Sequence, residues 1–94
     1  MGAYQKFIEF HNRNPHVLNR LTQMAFDLKE RGHRRVGIEM LFNVIRWETM
    51  MEIEDPSSLY KLNNNYKPHY ARMIMETYPE LDGFFEVREL KAIT

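Results

Sequence analysis

A helix with apolar residues on two opposite sides must cover both sides within its own chain or leave one to a partner. Residues 36–54, VGIEMLFNVIRWETMMEIE, read as such a helix. At about 100° per residue, Ile38, Leu41, Phe42 and Ile45 share one side, and Met40, Val44, Trp47 and Met51 lie nearly opposite. Glu39, Asn43 and Arg46 separate the stripes on one flank, Glu48 and Glu52 on the other. A surface helix needs a single apolar stripe, so the second one calls for an explanation. A small domain readily sandwiches one central helix, which favours a core wrapped by the first helix and a C-terminal strand. Otherwise the Met40, Val44, Trp47 and Met51 stripe is a protein interface, either a homodimer seam or a face for another protein.

Two helices precede this one. Tyr4, Phe7, Ile8 and His11 fit one face of a short first helix, which must stop near Asn14 because the residue before Pro15 is pushed from helical angles. Asn14 suits an N-cap and Pro15 the first helical position of a second helix over residues 15–31. Val17, Leu18, Leu21, Met24, Ala25 and Leu28 give it an unbroken stripe, and Gly32 follows as its C-terminal cap. Residues 35–37 fit a very short strand. After the central helix, residues 55–58 (DPSS) make a turn-rich break and residues 59–62 alternate weakly, as an extended piece would. Asn63, Asn64 and Asn65 form a loop able to cap a fourth helix, whose first turn accepts Pro68 and whose inner face is Tyr70, Ala71, Ile74, Met75 and Tyr78. Residues 80–83 make a turn, and residues 84–90 (FFEVREL) alternate like a strand.

The expected fold is therefore mainly α with a small β component, one domain over residues 1–94 with four helices. The order of elements is that of a winged helix-turn-helix. The connection over residues 55–65 is longer than the standard turn of that motif, and only four residues follow Leu90, too few for a second wing strand. A plain helical bundle with a short edge hairpin explains the same pattern.

Composition excludes several functions. Thirteen basic and thirteen acidic side chains cancel, against the basic excess of a general polyanion binder. With no cysteine there is no disulfide, thiolate nucleophile or Cys-ligated metal. His11, His16, His33 and His69 lack the spacing of a helical zinc site, so no metal or other cofactor is expected. No apolar run approaches the ~20 residues of a membrane span, no signal-peptide core follows Met1, and Lys6 stands where a myristoylation motif wants Ser or Thr. These features point to a cytoplasmic protein without a membrane partner. No nucleophile elbow, phosphate-binding glycine loop or paired carboxylates argue for an enzyme.

The segments FHNRNPHV, VGIEMLFNVIRWE, YKLNNNYKPHYARMIM and DGFFEVREL resemble a group of small uncharacterised proteins of phages and prophages, over roughly residues 7–90. The resemblance implies a phage or prophage setting and carries over no functional residues.

Two functions follow as expectations. The first is a non-enzymatic DNA-binding or regulatory module. Asn64, Asn65, Lys67, His69 and Arg72, with Asn63 and Tyr66, would contact double-stranded DNA, and Arg34 and Arg35, beside Arg31 and His33, would hold the backbone. Against it, three asparagines also make an ordinary turn and cap, and the cations an ordinary solvated face. The second is a small protein-binding modulator, an inhibitor of a host or defence protein. It would act through Met40, Val44, Trp47 and Met51 or through the acidic group Glu48, Glu52, Glu54 and Asp55. That acidic group also fits a solvated helix end and lacks the glycine turn of a cation loop.

Overall fold

The computed structural model describes residues 2–52 and 62–86. They form four α-helices: α1 (Ala3–Arg13), α2 (Pro15–Glu30), α3 (Ile38–Glu52) and α4 (Lys67–Thr77). Short 3-10 turns, Asn64–Tyr66 and Pro79–Leu81, precede and follow α4. The expected helices are thus present, α3 starting two residues later and ending two earlier than its pattern suggested. No helix among the described residues is long and apolar enough to cross a membrane.

The α1–α2 junction differs from expectation in one detail. Asn14 does not cap α2 with its side chain. Its Nδ2 donates instead to the Phe10 carbonyl (3.0 Å), and its backbone N–H to the Phe10 and His11 carbonyls. With a single residue between the helices, the amide closes the end of the helix behind it, where carbonyls are left over. The end of α2 follows the expected rule. Gly32 takes φ +99°, and the His33 N–H reaches back to the Leu28 carbonyl (3.1 Å), a Schellman closure that a side chain at position 32 would strain.

Helices α2, α3 and α4 pack on one another, with α1 laid against α2. The core takes Val17, Leu21, Met24 and Ala25 from α2, Ile38, Leu41, Phe42 and Ile45 from α3, and Tyr70, Ala71 and Ile74 from α4. Leu62, Leu81, Phe84 and Phe85 close it. Burying each such large side chain contributes about 1.5–3 kcal/mol before the entropy of ordering it. From α1, Phe7 is wholly buried. Its ring meets Tyr70 edge-on at 4.7 Å and stacks on His69 at 5.1 Å, while Phe10 packs on Tyr66 at 5.0 Å. Helix α1 therefore covers the beginning of α4.

The described residues hold no strand. Their sheet content is one parallel bridge between Val36 and Phe85, with Val36 N–H donating to the Phe84 carbonyl (2.9 Å) and Glu86 N–H to the Val36 carbonyl (3.1 Å). Parallel pairing joins segments far apart in sequence, so it is not an edge hairpin, whose strands run antiparallel. The rest of the expected strand, residues 87–90, lies outside the described residues, as do residues 55–58 and 59–61.

One side chain ties the chain before α4 to α3. Arg46 donates through Nη2 to the Leu62 carbonyl (2.8 Å) and to Asn64 Oδ1 (2.6 Å), and through Nη1 to Asn43 Oδ1 (3.0 Å). Its guanidinium also lies over the Phe42 ring, 5.7 Å from the centroid. Truncation leaves these acceptors to water and uncovers Phe42, so Arg46→Ala should destabilise by about 1–3 kcal/mol. That corresponds to a melting point lower by roughly 4–8 °C per kcal/mol in a chain of this size. Arg46→Lys keeps the charge without the planar fork and should recover less than half of the loss. A lysine variant as stable as the parent in thermal melts would show that charge alone holds this segment.

Candidate functional site

The residues expected to touch nucleic acid are already engaged within the chain to different degrees. Asn63 Oδ1 accepts the Asn65 backbone N–H (2.8 Å) and caps the 3-10 turn, as its position before a helix suggests. Asn64 is held by Arg46. Lys67 is half-buried, and its Nζ donates to Glu39 Oε1 on α3 at 2.9 Å. His69 is half-buried between α1 aromatics, stacked on Phe7 and edge-on to Tyr4 at 5.4 Å. Asn65 and Arg72 are exposed. Arg34 and Arg35 are exposed too, but the chain pairs Val36, next to them, with the segment that follows α4, whereas the asparagines and Lys67 lie at its start. What these groups present together is a set of internal ties at the start of α4 and separate cations elsewhere.

The acidic group divides similarly. Glu48 is not a free solvated carboxylate: Arg20 of α2 grips it from both sides, Nε to Oε1 at 3.0 Å and Nη2 to Oε2 at 2.6 Å. The paired hydrogen bonds from Arg20 hold the Glu48 carboxyl below its ordinary pKa. Glu52 is exposed, and Glu54 and Asp55 lie outside the described residues. Among the described residues no three His or acidic side chains gather as metal ligands would.

The second stripe of α3 is the exception, and it corrects the expectation of a sandwiched helix. Trp47 is 62% exposed, Met40 50% and Met51 67%; only Val44 is half-buried against the core. The physical reason is the course of α1. Its buried Phe7 packs on His69 and Tyr70 of α4, and Phe84 and Phe85 turn into the inner core, so among the described residues neither α1 nor the segment after α4 covers this side. Met50, 63% exposed and three positions from Trp47, widens the patch although it belongs to neither stripe. Met40, Asn43, Val44 and Trp47, with Glu39 at the edge, line a shallow and almost wholly apolar groove. Trp47 also borders a second, more polar groove between α2 and α3, shared with His16, Asn19, Arg20, Gln23 and Glu48. An isolated surface Leu or Met is ordinary, but a tryptophan among three exposed methionines on one rigid helix is a contiguous apolar patch of the kind that marks interaction sites. It offers area and shape for binding. No family model, curated protein or solved structure matches the chain, so the patch is interpreted from its own chemistry.

The Arg20–Glu48 pair fixes the α2 edge of this face, and its contribution has a defined pH dependence. The Glu48 pKa is lower in the folded chain than in the unfolded one, so its stabilisation is present above the ordinary carboxylate pKa of about 4.3 and fades as the pH falls through the folded value. The pair is about a third exposed, so solvent screening keeps its worth near or below about 1 kcal/mol. Glu48→Gln should therefore melt slightly earlier than the parent at pH 7, with the gap closing below about pH 4. A gap of equal size at pH 3 and pH 7 would remove the ionised pair as its source.

Proposed function

We propose that this chain is a non-enzymatic protein-binding module whose contact surface is the outer face of α3. The observation that carries this is the exposure of Trp47 at the centre of Met40, Val44, Met50 and Met51 on a helix otherwise anchored in the core. Tryptophan is the residue type most enriched among binding hot spots, and methionine adapts its shape to a partner. The scaffold beneath is ordered by Leu41, Phe42 and Ile45, so binding would cost little backbone ordering. Two of the flanking carboxylates, Glu39 and Glu48, are paired with Lys67 and Arg20 in the chain itself, and the exposed Glu52 stands beside Met51 at one end of the face. In the phage or prophage setting that the resemblance implies, an outside partner would be a host protein and the module its modulator.

DNA binding by a winged-helix-like domain is the second function we retain, because Arg34, Arg35 and Arg72 keep exposed side chains. The engagement of Asn64, Lys67 and His69 within the chain and the net charge of zero weigh against it.

Immobilised parent protein, Trp47→Glu and the triple variant Arg34→Ala/Arg35→Ala/Arg72→Ala separate the two, each challenged with host extract and with a random-sequence duplex at low salt. Trp47→Glu is expected to retain neither extract proteins nor added soluble parent chain, while its circular dichroism is unchanged and its stability stays within about 0.5 kcal/mol, as for a surface position. The triple variant should retain them. Unfolding of both Trp47→Glu and the milder Trp47→Ala would make Trp47 a structural residue and end the proposal. Salt-sensitive duplex binding that only the triple variant loses would transfer it to DNA, each lost phosphate contact lowering the salt slope by about one.

A further inference from the structure

We infer that the occupant of the α3 face is a second copy of this chain, its α3 running antiparallel to the first about a two-fold axis between positions 44 and 47. This rests on the protein-binding function just proposed and names the partner.

The spacing of the stripe is the first ground. Met40, Val44, Trp47 and Met51 are separated by four, three and four residues, the alternation of a coiled-coil seam. The series reads the same from either end. Antiparallel copies in register therefore set Met40 opposite the partner's Met51, and Val44 opposite the partner's Trp47, with both contacts made twice, as a two-fold interface requires. A parallel pairing would stack Trp47 on Trp47 and leave the two Val44 side chains facing each other across a gap.

The groove formed by three of these side chains together with Asn43 is the second ground. Its four central lining residues, Met40, Asn43, Val44 and Trp47, stand at i, i+3, i+4 and i+7, the four-residue hole that receives one knob from a facing helix. In the antiparallel register the knob over Val44 is the partner's Trp47. The smallest side chain of the stripe, half-buried at the groove floor, thus meets the largest, which projects into solvent.

Charge and size agree. No residue of the seam is charged, Glu39 and Glu48 on its flanks are paired within each copy, and the antiparallel register sets the two copies of the exposed Glu52 at opposite ends of the seam. Helix α3 has 15 residues, about 22 Å at 1.5 Å per residue, enough for the whole seam. With Trp47, Met40 and Met51 each half or more exposed on one short helix, the paired face is small, in the class of weak and transient interfaces. A reversible, concentration-dependent dimer is the expected form.

The chain has no cysteine, so single introduced cysteines report the register without background. The test mixes Met40→Cys with Met51→Cys under mild oxidation and measures mass by light scattering across a concentration series for the parent and Trp47→Glu. Antiparallel pairing predicts a disulfide-linked dimer in the mixture and its absence from either variant alone, because the two copies of position 40 then sit about 16 Å apart along the axis, beyond disulfide reach. The parent should move towards twice the chain mass as concentration rises, and Trp47→Glu should stay at the monomer mass with unchanged helical content. Cross-linking of Met40→Cys with itself would overturn the antiparallel register. A parent that is monomeric throughout, without cross-linking in the mixture, would overturn the second copy as occupant. In that case retention of other proteins by the parent but not by Trp47→Glu leaves the binding face standing, and its absence removes both.

Discussion

The packing of Phe7 on Tyr70 and His69 decides what the rest of the molecule can cover. The side chain that helix α1 buries fully among its described residues, Phe7, sits at the beginning of α4. Phe10 on Tyr66 and Tyr4 on His69 extend the same contact. A helix of 11 residues, about 16 Å long, cannot also wrap the far side of α3. The inner stripe of α3 is satisfied by α2 and α4, and the outer stripe is left exposed. The aromatic cluster and the open tryptophan are therefore two consequences of one choice of docking site.

The polar contacts around α3 are arranged on the same frame. Arg46 and Glu39 tie one flank to the chain entering α4, and Glu48 ties the other flank to α2 through Arg20. Each exposed ion pair is worth little alone. Their common effect is geometric: both flanks of α3 are pinned, and the free side between them keeps its direction. Lys67 and Asn64 are drawn into these ties, which is why a polar, basic helix start with the composition of a nucleic-acid contact is a structural joint at these two residues.

Much of the fold was legible in the sequence, for physical reasons that differ by element. Helix α2 announces itself through a continuous stripe between a proline at its first position and a glycine past its end, where local rules and burial agree. Helix α4 is similar, with Tyr70, Ala71 and Ile74 buried as their spacing implies. For α3 the period identified the helix and both stripes, but periodicity is silent on which stripe another element will cover; that depends on α1, which the whole of α2 separates from it in sequence. The Arg20–Glu48 and Lys67–Glu39 pairs, each 28 residues apart, are beyond any local pattern. The pairing of Val36 with Phe85 is equally non-local. The function was less legible still. Polar residues before a helix look the same whether they face solvent, a phosphate or an arginine of their own chain.

One sequence signal did bear on the site, and its meaning changes once exposure is known. A four-three-four spacing of apolar residues fits a buried helix side as well as a seam between molecules. Burial would have made the spacing a packing detail with no directional content. With Met40, Trp47 and Met51 open to solvent, the same spacing describes the helix that the proposed dimer would set against it: side chains at matching intervals, a large residue where this chain has Val44 and a small one where it has Trp47. Helix α3 itself, reversed, meets that description, so the residue that makes the face conspicuous is also the one best shaped to fill it.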